Sequence, residues 1–120
     1  RLQPQPRMMK LTLTLAASLA IATVQLHAAD AAVLANYTKH CASCHGKDGK
    51  GQTTMGKKVG AKDFTDAKVH AEIKDDVALK NLKEGVKDKA GKEIKKPFTG
   101  KISEDEMKAL IEYSKTFYKK

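Results

Sequence analysis

The chain has 120 residues, 41% of them hydrophobic and 31% charged, with no Trp and a net charge of +9. That length suits one domain, and a small domain poor in aromatics has little core of its own, so it relies on a staple such as a disulfide, a metal or a cofactor. With only two cysteines, a four-cysteine zinc site and a disulfide framework are both excluded within one chain.

Arg1 to Arg7 holds two prolines and two glutamines and shows no periodicity, so no element is expected there. Met8 or Met9 makes a more sensible start, and Lys10 supplies a positive n-region. Leu11 to Leu26 is an apolar run broken only by Thr, Ser and Gln, and it closes on Leu26-His27-Ala28. A basic start, an apolar stretch and a small closing residue form the pattern of a secretory signal peptide. The run is short for a membrane span, which needs roughly 20 apolar residues. The expectation is a leader over 1–28 cut near Ala28 or Ala29, a domain over 29–120, export to the periplasm, and no stable membrane span after cleavage.

Arg1, Arg7 and Lys10 leave with the leader and no acidic residue does, so the remaining chain is basic through lysine alone. Lysine basicity suits loose, salt-sensitive contact with a partner protein that has an acidic docking surface; it equally describes a solvated face. Nucleic acid is not an expected partner, because no arginine remains to read base edges.

Residues 30 to 40 read as a helix, with Asp30 as its N-cap and Val33, Leu34, Tyr37 and Cys41 on one face. It runs into Cys41-Ala42-Ser43-Cys44-His45, the C-x-x-C-H pattern for attaching a c-type haem. Two intervening residues space the thiols for the two vinyl groups on one porphyrin edge. A histidine directly after the second cysteine can turn its imidazole under the ring to ligate the iron. The competing readings of a Cys-x-x-Cys pair are a redox dithiol, half of a zinc site, or a structural disulfide. A leader and the absence of an alternating strand pattern argue against a thioredoxin-like dithiol enzyme.

Gly46 to Lys62 carries five glycines and reads as a loop passing closely round the haem edge; it has no Walker pattern and no preceding strand. Thr65 or Asp66 can cap a short helix through Val69 and Ile73. Asp75 and Asp76 open another, with Val77, Leu79 and Leu82 apolar and Gly85 at its end. Val86 to Gly100 reads as a lysine-rich loop containing Pro97. Ser103-Glu104-Asp105-Glu106 is a capping box, and the helix it opens runs to about Tyr118 with Met107, Leu110, Ile111, Ser114 and Phe117 or Tyr118 on its core face. No strand pattern is seen, so the fold class is all-α. The carboxylates at Asp75-Asp76 and Glu104 to Glu106 are explained as helix starts, and no catalytic residue is assigned. Lys57-Lys58 and Lys95-Lys96 are candidate docking charges.

From Asp30 to Phe117 the chain resembles the class I, monohaem c-type cytochromes of the small bacterial periplasmic type. Tyr37 stands at the family's aromatic one turn before the first cysteine, Tyr113 in Leu110-Ile111-Glu112-Tyr113 at the aromatic of its last helix, and Cys41 to Gly51 is typical throughout. The resemblance implies three to five helices packed round one covalent haem c, with the N- and C-terminal helices crossing. Cys41 and Cys44 would hold the haem and His45 would be the proximal iron ligand. It also implies an electron carrier rather than an enzyme, shuttling single electrons between redox partner proteins.

The family usually supplies a methionine as sixth ligand from the loop before the last helix, often as Met-Lys-Pro. Here that loop reads Ile94-Lys95-Lys96-Pro97-Phe98, which sets Lys95 in the methionine register. Its neighbour Lys96 shares that reading; Met55 and a water or open site come next, level with each other, with His70 and Met107 behind them. Methionine raises a haem potential, so a nitrogen or water ligand implies a lower one. An open or displaceable site implies the alternative function, a small-ligand-binding or sensing haem protein.

Overall fold

The computed structural model describes residues 30–120; the expected leader over 1–28 lies outside them. Helix α1 covers 30–40. It is followed by α2 (Ala42–His45), α3 (Thr54–Val59), α4 (Ala67–Glu72), α5 (Asp75–Glu84), a hairpin of β1 (Val86–Lys87) and β2 (Glu93–Lys95), and α6 (Glu104–Lys115). The class is all-α, with α1 and α3 to α6 as the helices, α2 a single turn, and a small two-stranded sheet added. No described helix is long and apolar enough to cross a membrane.

The core is the crossing of α1 and α6. Tyr37 is 1% exposed, and Met107 and Leu110 are 2% exposed, packed with Leu82, Phe98, Ile102 and Ile111. Each such side chain withdrawn from water contributes about 1.5–3 kcal/mol. Tyr37 meets Tyr113 edge-on at 5.0 Å between centroids and Phe117 at 5.3 Å, an arrangement that adds to burial through ring quadrupoles. Val33 and Cys41 lie along the same stripe of α1. Leu34, expected on that face, is 51% exposed, because one residue turns the helix by about 100° away from the stripe through Val33, Tyr37 and Cys41. Asp30 is itself helical rather than the expected N-cap, which takes non-helical dihedrals.

Local chemistry explains the remaining elements. Asp66 caps α4 by accepting from the Lys68 and Val69 N–H groups at 2.9 and 3.0 Å, and α4 stops one residue before Ile73. α5 begins at Asp75 and Asp76 and ends at Gly85, whose φ is +79°. Ser103 and Glu106 form the expected capping box: the Ser103 N–H donates to the Glu106 carboxylate at 2.7 Å and the Glu106 N–H to the Ser103 hydroxyl at 3.1 Å. α6 ends at Lys115, with Thr116 as its C-cap, so the helix stops short of Tyr118.

Two segments expected to be loops contain regular structure. Within Gly46 to Lys62, Thr53 caps α3 and Gly60 ends it in the left-handed region at φ +68°. Within Val86 to Gly100, Val86 pairs with Lys95 and Lys87 with Glu93, with an irregularity in register between them. The Asp88 carboxylate accepts from the Ala90 and Lys92 N–H groups, both at 2.9 Å, and closes the hairpin turn.

Candidate haem-attachment site

The attachment motif sits where α1 gives way to the single turn α2. The Cys41 N–H still bonds the Tyr37 carbonyl at 2.9 Å, and the His45 N–H bonds the Cys41 carbonyl at 2.9 Å. Residues three and four apart in a helical turn share a face, so Cys41, Cys44 and His45 are presented together. Both cysteines are free thiols and half-buried, which leaves them available for a ligand. Among the described residues no group of three or more His, Cys, Asp and Glu is arranged to hold a bare metal ion.

His45 is held from two sides. Its Nδ1 lies 3.1 Å from the Lys62 carbonyl oxygen, which can only accept, so Nδ1 carries the proton and the Nε2 lone pair is free. Its ring stacks on Phe64 at 4.3 Å between centroids and 18° between planes. Burial lowers the pKa of the imidazole, with the Lys95 charge adding to that and the Lys62 carbonyl opposing it. A neutral imidazole with one nitrogen fixed by a carbonyl is the metal-binding form.

The glycine loop wraps this turn closely. The Gly51 N–H donates to the His45 carbonyl at 2.8 Å, and the Phe64 N–H to the Gly49 carbonyl at 2.8 Å. The Thr53 hydroxyl lies 2.7 and 2.9 Å from the Ser43 and Cys44 carbonyls and accepts from the Gly56 N–H at 2.9 Å. A Cβ on Gly56 would run into the Cys44 carbonyl, so glycine is required for α3 to pack against α2. The loop thus passes closely round the attachment turn, with a short helix inside it.

Lys95 ends β2 and is half-buried. Burial pushes its amine pKa down, the Cys41 and Cys44 thiols pull it back up, and Lys62 lowers it further. Burial raises the pKa of the Cys41 thiol, and the Lys95 charge opposes that rise. The hairpin, not expected from the sequence, thus brings the charge of Lys95 within electrostatic range of the two cysteines. Met55 is 50% exposed in the first turn of α3 and Met107 is a core residue. The His70 ring stacks on Tyr118 at 4.5 Å, and its buried Nδ1 has no hydrogen-bond partner.

The family model described as "Cytochrome c" matches residues 25–117. The chain belongs to the cytochrome c family. It is a haem-binding, monohaem class I c-type cytochrome, and Cys41 and Cys44 fit the family's attachment motif for covalent haem c. Among solved structures, this cytochrome is similar to the KustC0563 c-type cytochrome, at 34% identity and TM-score 0.62 over 72% of this chain and 96% of that one. A tyrosine-to-phenylalanine mutant of Kustc0563 matches at 32% identity and TM-score 0.61 over 71% and 96%. No curated protein matches. The residues present fit the group: two free thiols and a neutral, oriented imidazole on one turn are the donors that haem c takes.

Proposed function

We propose that this cytochrome is an exported electron carrier that exchanges single electrons with redox partner proteins in the periplasm. The observation that carries the reading is the pairing of the His45 Nδ1 with the Lys62 carbonyl beside two free thiols. It leaves Nε2 as a pre-aimed donor next to the attachment cysteines. Haem iron supplies reversible one-electron exchange between ferric and ferrous states.

The protein's own residues hold, orient and shield that chemistry. Cys41 and Cys44 would hold the haem through thioether links to its vinyl groups, an addition of S–H across each double bond that needs no oxidant. His45 would hold the iron through Nε2, with its tautomer set by the Lys62 carbonyl. Phe64 covers the imidazole face, and Phe117 stacks behind Phe64 at 6.5 Å between centroids, keeping water from that side. Lys57, Lys58, Lys62 and Lys96 are exposed and supply a cationic surface for an acidic partner.

The test is protein made in a host able to attach haem c. Colour retained through acid denaturation, with reversible one-electron titration and electron exchange that slows with added salt, supports the carrier. Absence of covalent haem overturns it. Carbon monoxide binding to the ferrous protein at the rate of an open iron would move the assignment to the small-ligand-binding alternative.

A further inference from the structure

The geometry points to Phe64 as the positioning residue that sets the plane of the His45 imidazole, and with it the orientation of the proximal iron ligand. The inference rests on the haem reading above and goes one step beyond it, from which atom of His45 would hold the iron to how that ring is turned.

A single hydrogen bond does not fix a ring. The Lys62 carbonyl, 3.1 Å from Nδ1, holds one edge of the imidazole, but a ring held at one edge still rolls about the line of that bond. Phe64 removes this freedom. Its ring lies 4.3 Å from the imidazole between centroids and 18° from parallel, so a roll in either direction drives the imidazole edge towards the phenyl face or breaks the stack. The edge contact and the face contact come from residues two apart in one short segment, the first through its backbone and the second through its side chain.

That segment has anchors of its own. The Asp63 carboxylate accepts from the Thr65 N–H at 2.8 Å and from the Thr65 hydroxyl at 2.6 Å, a turn whose two ends flank Phe64. The Phe64 N–H donates to the Gly49 carbonyl at 2.8 Å and the Gly51 N–H to the His45 carbonyl, also at 2.8 Å. Phenyl and imidazole are thus tied to the same glycine loop. Phe117 lies near-parallel to Phe64, 6.5 Å between centroids and 14° between planes, and Tyr37 and Tyr113 hold Phe117 from 5.3 Å each. Support of this kind beyond the ligand is what fixes a metal-binding histidine in one orientation.

The orientation has an electronic consequence. The imidazole π system interacts unequally with the iron d orbitals that lie along and across the ring plane. A His45 ring held at one angle therefore spreads the unpaired spin of ferric iron unevenly over the porphyrin, and a ring that samples many angles evens it out.

The experiment is proton magnetic resonance of the ferric, haem-loaded protein with cyanide added. Cyanide takes the sixth position and is linear, so it has no plane of its own, and the spread of the haem methyl shifts then reports His45 alone. The wild type is expected to show widely spread methyl shifts. Phe64→Leu keeps an apolar side chain but no flat face, and is expected to narrow or reorder that spread. Phe64→Tyr keeps the flat face and is expected to retain the wild-type order. A Phe64→Leu spectrum with the wild-type order and spread, even in a less stable protein, shows that Phe64 only fills space and overturns the inference. Loss of the pattern in Phe64→Tyr as well as Phe64→Leu also overturns it. Closely bunched methyl shifts in the wild type overturn it without any variant having to fold. Acid-stable haem with any of these results leaves the carrier reading standing, whereas absence of acid-stable haem from the wild type overturns both.

Discussion

The Tyr37 hydroxyl donates to the Gly46 carbonyl at 2.7 Å, bridging the helix before the attachment motif to the residue just after it. The bond spans the whole turn that carries Cys41, Cys44 and His45, and burial together with nearby negative groups keeps the phenol protonated. Tyr37→Phe keeps the ring and its packing but leaves the Gly46 carbonyl with the Gly49 N–H alone, at 3.2 Å. A loss of about 0.5–1.5 kcal/mol is expected, read from the shift in denaturation midpoint of the haem-loaded protein; an unchanged midpoint would show that water replaces the hydroxyl.

Gly49 and Gly60 separate two reasons for glycine. Both have positive φ, at +73° and +68°, but a Cβ on Gly49 would lie 2.5 Å from Phe117, while one on Gly60 would meet nothing within 4 Å. Gly60→Ala is expected to cost only the left-handed backbone term of about 1–2 kcal/mol. Gly49→Ala should add about 1–3 kcal/mol of overpacking and disturb the Phe117 contacts with Tyr37 and Phe64. Equal destabilisation by urea unfolding would mean that Phe117 swings aside at no cost.

Thr53 joins α3 to the attachment turn through one hydroxyl. Thr53→Val preserves shape but strands the Gly56 N–H and the Cys44 carbonyl. The expected loss is about 1–3 kcal/mol, accompanied by faster hydrogen exchange at the Gly56 amide. Protection unchanged at Gly56 would assign the α2–α3 contact to packing alone.

The capping box of α6 makes a pH-dependent contribution. Bonds from the Ser103 backbone and hydroxyl, with help from Asn36, hold the Glu106 carboxyl below the ordinary glutamate range. A depressed carboxyl stabilises the fold above its unfolded pKa and loses that contribution as pH falls through its folded value. The stability difference between wild type and Glu106→Gln should therefore be largest near neutrality and shrink as the medium is acidified below about pH 4. A difference independent of pH would show that the box acts through shape rather than charge.

Much of the site was legible because its signals are local. The motif spans five consecutive residues, Ser103 and Glu106 are three apart, and Tyr37 lies one turn before Cys41. The hairpin was not legible: strands of two and three residues are too short for alternation to register, and their pairing depends on the Asp88 turn. α3 was hidden by its glycines, since Gly56 is inside the helix for contact reasons that only the packed Cys44 carbonyl explains. The Lys62 carbonyl on His45 could not be foreseen either, because a backbone acceptor seventeen residues away leaves no trace in residue type.

The aromatic crossing also shapes how this molecule can be watched. The chain has no Trp and three Tyr, and all three lie on or against one corner. Tyr37 and Tyr113 meet in the core and Tyr118 stacks on His70. Two of the three tyrosines thus report the docking of the first and last helices, and the third the contact with α4. Haem quenches tyrosine emission at short range, so a rise in ultraviolet emission on unfolding would time the parting of that corner from the haem, with no label required.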